Sequence, residues 1–221
     1  MKLNHLELRA ELYRLLAATF YPPDQFFDSR NEYFEQIQKS AAEIYPQLAS
    51  LGEDLKSIAI ATELEPLQVE YARLFVGPFH VEAPPYGSVY LEENGRLMGE
   101  STIAVRKFYQ KYGLELDEDF SELPDHIAAE LEFVYYLLYN QTREEEENRL
   151  NEAGNFRTGV ILFLEHFLAP FVQDFTEKIK QHSEEPFYTS LAEFLKQFVQ
   201  AEVMFERKKQ AERVTESERN N

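Results

Sequence analysis

The chain has 221 residues, of which 40 are acidic and 22 basic, and its net charge of −18 opposes binding to a phosphate backbone, which needs clustered Lys and Arg. With 44% hydrophobic residues, including 18 Phe and 13 Tyr, it can bury a substantial core. Cysteine is absent, which excludes disulfides, thiolate metal sites and Cys nucleophiles.

In chain order, Leu8, Leu12, Leu15, Leu16 and Thr19 share one helical face and predict a helix from about Leu3 to Phe20. Met1 to Arg14 alternates charged and apolar residues, unlike a secretory signal. Pro22-Pro23 stops the first helix, and Asp24 is placed to cap the next one. From Phe26 to Ala61 the spacing is helical but interrupted at Pro46 and Gly52, which predicts two shorter helices. Thr62-x-x-Glu65 reads as a capping box with Pro66 in the first turn. The helix it opens carries Leu67, Tyr71, Leu74 and Phe75 and ends at Gly77.

From Gly77 to about Glu100 the helical spacing fails. Prolines and glycines interrupt a stretch that still carries Phe79, Tyr86 and Tyr90. A connection this long is functional or disordered, and aromatics argue against disorder. It is expected to be an ordered loop forming one wall of a site, the alternative being a surface loop whose aromatics plug the core. Asn94-Gly95 marks a tight turn between Leu91 and Leu97, and the Tyr90 and Leu97 flanks are the only strand-like stretches.

Val105, Phe108, Tyr109 and Tyr112 then predict a helix ending at Gly113. Leu123-Pro124-Asp125 opens the longest helix, with Ile127, Leu131, Val134, Tyr135 and Leu138 inward, and it continues through the acidic run Glu144 to Glu147 until Gly154. Phe156 to Leu168, Pro170 to His182 and Pro186 to Phe205 predict three more. Residues 206–221 are nearly all polar and are expected to fray. No apolar run reaches bilayer-spanning length, the best being Phe133 to Tyr139, so a chain without membrane insertion is expected. The expectation is one all-α domain over residues 1–205, with one long irregular loop.

Three groups of residues stand out chemically. One is the loop. The second is Pro124-Asp125-His126-x-x-x-Glu130, where Asp125 suits a helix start and His126 and Glu130 share a helix face. The third is Glu165-His166 with Pro170. Together His126, Glu130, Glu165 and His166 would supply two His and two carboxylates to a metal, so a metal-dependent helical enzyme is the alternative reading. Phosphate-cradling glycine loops, Gly-x-Ser-x-Gly elbows and dinucleotide fingerprints are absent. Aromatic and aliphatic surface in so acidic a chain suits a peptide with an apolar stretch and a basic end, whose arginines would pair with Asp125, Glu130 or Glu132.

Glu70-Tyr71-x-x-Leu74-Phe75, Pro84-Pro85-Tyr86-x-Ser88-x-Tyr90, Pro124-Asp125-His126-x-x-x-Glu130-Leu131 and His166-x-x-x-Pro170 together resemble the TorD/DmsD/NarJ family of cytoplasmic chaperones for molybdenum-containing oxidoreductases. The matching segments cover about the middle half of the chain. The resemblance implies an all-α fold particular to that family, no catalytic activity and no cofactor. It implies a cytoplasmic protein that binds the twin-arginine signal peptide, the immature catalytic subunit of the oxidoreductase, or both, until the client's pterin cofactor is inserted. A homodimer is left open, and no nucleic-acid partner is implied. By position, Glu70, Leu74, Phe75, Pro84, Pro85, Tyr86, Ser88 and Tyr90 match one wall of the peptide groove, and Asp125, His126 and Glu130 match the second. One departure is the absence of Trp, which members often place around the groove and after the later proline; here Phe171 follows Pro170.

Overall fold

A computed structural model describes residues 3–77, 80–115 and 122–219; the loop's Phe79 lies outside them. Among the described residues the regular structure is helical and no strand is formed, so the all-α expectation holds. Helix α1 (His5–Ala18) starts at a capping box that the sequence pattern did not predict. The Asn4 side chain accepts from the amides of Leu6 (2.8 Å) and Glu7 (3.0 Å), and the Glu7 carboxylate accepts from the Asn4 amide. The box expected at Thr62 does not form. Thr62 instead turns its hydroxyl back to the Ile58 carbonyl, 2.8 Å away, and closes the helix before it.

Helices α2 (Asp24–Phe27) and α3 (Arg30–Ile44) are followed by a 3₁₀ turn at Pro46–Leu48 and by α4 (Ala49–Ala61). Asp24 begins α2 without capping it. Pro46 makes the expected break, whereas Gly52 lies inside α4. A Cβ at Gly52 would stand 3.2 Å from the Gln38 Cα, so this glycine permits close packing of α4 on α3. Helix α5 (Leu64–Tyr71) widens into a π turn over Ala72–Val76 and stops at Gly77, whose φ of +84° suits glycine.

Beyond the loop, α6 (Ser88–Leu91) is a single turn and α7 (Glu100–Lys111) ends in Gly113 at φ +78°. Tyr90 lies in α6 and Leu97 in the turn that follows it, so neither belongs to a strand. Helix α8 (Ile127–Glu146) ends before Gly154: Asn148 takes the left-handed conformation at φ +59°, and Arg149 folds back onto the Glu144 carboxylate. The acidic run is thus paired at the helix end as well as solvated.

Gly154 sits within α9 (Leu150–Phe163), which passes through a π turn at Leu164–Leu168 into α10 (Ala169–His182). Pro170 therefore does not separate two helices. The wide turn before it accommodates a residue that cannot donate a backbone hydrogen bond.

Helix α11 runs Pro186–Arg219, past the Phe205 boundary expected for the last helix. Glu206, assigned by sequence to a frayed polar tail, is buried and pairs with Arg9 at 2.6 Å, while Arg9 also meets Glu202 at 2.7 Å. This ion cluster fastens α1 to α11. Helix α8 packs between α1 and α9, α3 against α1 and α4, and α11 against α4 and α10. The core between them is aromatic, with Phe20, Phe75, Phe171 and Phe175 under the loop and Tyr109 of α7 packed on Phe133 and Phe163. Among the described residues no helix is long and apolar enough to cross a membrane.

Candidate functional site

The described part of the loop is sewn to the start of α8. Tyr86 and His126 form an isolated antiparallel bridge. The Ile127 amide donates to the Pro85 carbonyl at 2.8 Å, and the Gly87 amide donates to the Asp125 carbonyl at 2.8 Å. Pro85 has no amide to offer, and in this pairing only its carbonyl is needed. A Cβ at Gly87 would lie 3.2 Å from Glu130 Oε1 and 3.4 Å from Phe171, so glycine lets the loop approach this closely. Farther back, the Ala83 amide donates to the Leu74 carbonyl at 2.8 Å and anchors the loop to the π turn.

Asp125 does not cap α8. Its Oδ2 accepts from the Ser88 amide at 2.7 Å, at the start of α6, and the cap falls to His126, whose Nδ1 accepts from the Ala128 amide at 3.2 Å. The choice follows from the bridge, which turns Asp125 toward the loop.

Between loop and helices lies a groove of about 470 Å³, lined by Tyr71, Phe75, Val76, Val81, Pro84, Pro85, Tyr86, Val89, Gly95, Leu97, Glu122 and His126. Residues of the two separated motifs therefore meet in one concavity. Of the residues named by sequence, Phe75, Pro84, Pro85, Tyr86 and His126 face it. Leu74, Ser88, Asp125 and Glu130 are fully buried beneath, and half-buried Tyr90 packs on Phe171 and Phe175.

Glu70 is buried at the far end of the π segment. It accepts from Arg73 (2.7 Å) and from the Ser183 hydroxyl (3.1 Å) and Glu184 amide (2.6 Å), which ties α5 to the joint between α10 and α11. The sequence motifs do not include Val76, Val81, Val89, Leu97 and Glu122 as wall residues. Val76 and Leu97 carry the clearest signal, Val76 as the apolar residue just before Gly77 and Leu97 as one midway between Gly95 and Gly99.

Burial sets the electrostatics around the groove. Burial holds His126 down at about pKa 4, against the opposing charges of Glu122 and Asp125, so the imidazole is neutral at physiological pH. Burial, with the nearby Asp125 charge adding to it, pushes Glu130 well above the usual carboxylate range. Neither Glu130 oxygen has a hydrogen-bond partner, nor has Asp125 Oδ1. Tyr86 donates its hydroxyl to Glu122 at 2.8 Å. The groove offers apolar and aromatic walls and one carboxylate, Glu122.

The alternative metal centre does not assemble. Among the described residues no group of three or more His, Asp or Glu is placed to hold a metal. Glu165 pairs with Arg207 at 3.0 Å, His166 is exposed, and His126 is engaged as the cap of α8.

A family model described as the nitrate reductase delta subunit matches residues 35–177. Chaperone protein TorD of Vibrio parahaemolyticus is 28% identical over 204 residues, covering 86% of this chain and 90% of that protein. The Tat proofreading chaperone DmsD of Salmonella typhi is 30% identical over 129 residues, or 58% of this chain and 56% of that one. Among solved structures, a protein of Archaeoglobus fulgidus assigned to redox enzyme maturation matches with a TM-score of 0.52 at 25% identity, over 90% of this chain and 97% of that one.

Proposed function

As the chain belongs to the nitrate reductase delta subunit family, and its named relatives are chaperones and not enzymes, we propose that its groove binds the twin-arginine signal peptide of a redox-enzyme catalytic subunit before export. The client is a molybdenum-containing oxidoreductase, held in the cytoplasm until its cofactor is in place. One observation carries this reading: the Tyr86–His126 bridge joins the two separated motifs into one apolar groove with an acidic end. Such a groove complements a peptide with an apolar body and a basic head.

Burying three or four Leu- or Phe-sized side chains contributes roughly 5–10 kcal/mol gross, at about 1.5–3 kcal/mol each. Lost rigid-body and peptide freedom offsets much of this, leaving an affinity of about micromolar. Apolar contacts supply most of it, because exposed ion pairs are worth about 1 kcal/mol or less. Raising salt therefore slows association more than it speeds release. Calorimetry with a client signal peptide tests the reading. Micromolar binding that is lost on removing the peptide's apolar stretch is the expected result, and no detectable binding of any such peptide overturns it.

A further inference from the structure

The turn between α6 and α7 supplies part of the groove's rim, and Glu92 holds it at both ends. The Glu92 carbonyl accepts from the Gly95 amide at 3.0 Å. Its carboxylate accepts from the amide and the hydroxyl of Ser101, both at 2.7 Å, at the start of α7. Gly99 lies against the same carboxylate, and a Cβ there would collide with it.

Two residues of this turn take the left-handed conformation, Gly95 at φ +59° and Met98 at φ +61°. Glycine does so freely, whereas a long side chain is strained there. Among the described residues the only other non-glycine at positive φ is Asn148, and asparagine tolerates that conformation. Met98 is also 65% exposed, so burial within this chain does little to offset the strain. Glycine or asparagine would serve the turn better. Strained residues of this kind gather at ligand clamps.

Met98 has apolar company at the groove. Gly95 and Leu97 line it, and Met98 follows Leu97 directly. Leu97 and Val76, another lining residue, are exposed as well. A lone exposed apolar residue such as Leu150 on α9 needs no explanation, but several about one concavity mark a surface that meets a partner.

We infer that Met98 is a specificity-determining residue of the groove, a side chain held out by a strained turn to cover the apolar stretch of the bound peptide. The inference rests on the groove's binding a peptide, and it adds a residue that lies outside the sequence motifs and outside the groove walls. Methionine suits the task. Its side chain is unbranched and flexible and its sulfur is polarisable, so it packs against leucine, valine or phenylalanine alike. A residue that covers a seated peptide acts on release more than on encounter.

The test measures binding kinetics with a synthetic peptide that carries paired arginines ahead of a leucine-rich stretch. Met98→Asn accepts the left-handed backbone without glycine's added freedom, so it removes the apolar side chain and keeps the turn. It is expected to release the peptide roughly five- to tenfold faster than wild type, with association within about twofold. Its melting temperature should equal that of wild type or exceed it by up to about 4 °C, as relief of strain requires. Met98→Leu keeps the apolar bulk and should stay within about twofold of wild type. Leu150→Ser should leave release unchanged.

Unchanged release in Met98→Asn overturns the role of Met98 and leaves the groove standing. Self-association lost in that same variant would then assign the rim to a second copy of the chain. A lowered melting temperature in Met98→Asn makes the residue structural, and equal weakening in Met98→Leu or Leu150→Ser removes its specificity, so each result overturns the inference. If wild type binds no such peptide, the groove reading fails and the role of Met98 with it.

Discussion

The backbones of Tyr86 and His126 pair as an isolated bridge, and their rings meet edge-to-face at 5.4 Å. Everything proposed for the groove depends on this junction, because it brings an irregular loop against a helix start. The Ser88 amide, buried with Asp125 at the same junction, has the Asp125 carboxylate as its partner.

Asp125→Ala is expected to destabilise the fold by about 1–3 kcal/mol, the cost of leaving a buried donor unpaired. Reduced peptide binding in this variant should track the unfolded or loosened fraction. Thermal unfolding followed by circular dichroism measures the first effect. An unchanged melting temperature would show that the bridge, without the carboxylate, holds the loop.

Phe75 and the rim residues should separate stability from binding. Phe75 packs against Phe20, Tyr71, Phe175 and Tyr188, so Phe75→Ala should cost about 3–5 kcal/mol through the cavity it leaves. Val76 and Leu97 line the groove but are 60% and 48% exposed, so Val76→Ser and Leu97→Ser should leave the melting temperature nearly unchanged. Each should weaken an apolar signal peptide several-fold by calorimetry. Wild-type affinity in both variants would place the peptide elsewhere.

Glu130 and His126 give opposite pH dependences. Glu130 is raised above its unfolded value, so its contribution to stability is fully present below about pH 4.5 and is lost as pH rises. His126 is lowered to about 4 from 6.5, so its contribution is present above pH 6.5 and is lost as pH falls toward 4. Glu130→Gln removes only the first effect. The variant should match wild type near pH 4 and become progressively more stable than it toward pH 8, as read by denaturant unfolding at each pH. A pH-independent difference would mean that Glu130 is ionised in place.

Glu70→Ala should loosen the joint between α10 and α11, since it orphans the Glu184 amide and removes the carboxylate partner of Arg73. A loss of about 1–3 kcal/mol is expected. Hydrogen exchange should rise at Ser183 to Glu185 before it rises in α8. Uniform protection loss would argue against a local staple.

Local chemistry was legible in the sequence. Helical spacing of apolar residues, with stops at Pro22-Pro23, Gly77 and Gly113, yielded an all-α chain with one long loop. The motifs around Tyr86 and His126 indicated the family. These signals are short-range: a proline's missing amide or a glycine's freedom acts within a turn.

Other local signals were ambiguous because competing partners lie elsewhere in the chain. Gly52 and Gly154 looked like stops, yet Gly52 sits within α4, where it lets α3 pack closely, and Gly154 is tolerated inside α9. Asp125 looked like a cap until the Ser88 amide, contributed by the loop, claimed its carboxylate.

Which motif residues face the groove was decided by tertiary structure alone. Leu74 and Glu130 stand in the same motifs as Phe75 and His126 but point into the core, because burial depends on what packs against each face. The same packing set the Tyr21 ring and the Glu122 charge, far apart in sequence, beside one imidazole, and no spacing rule within a single helix joins them.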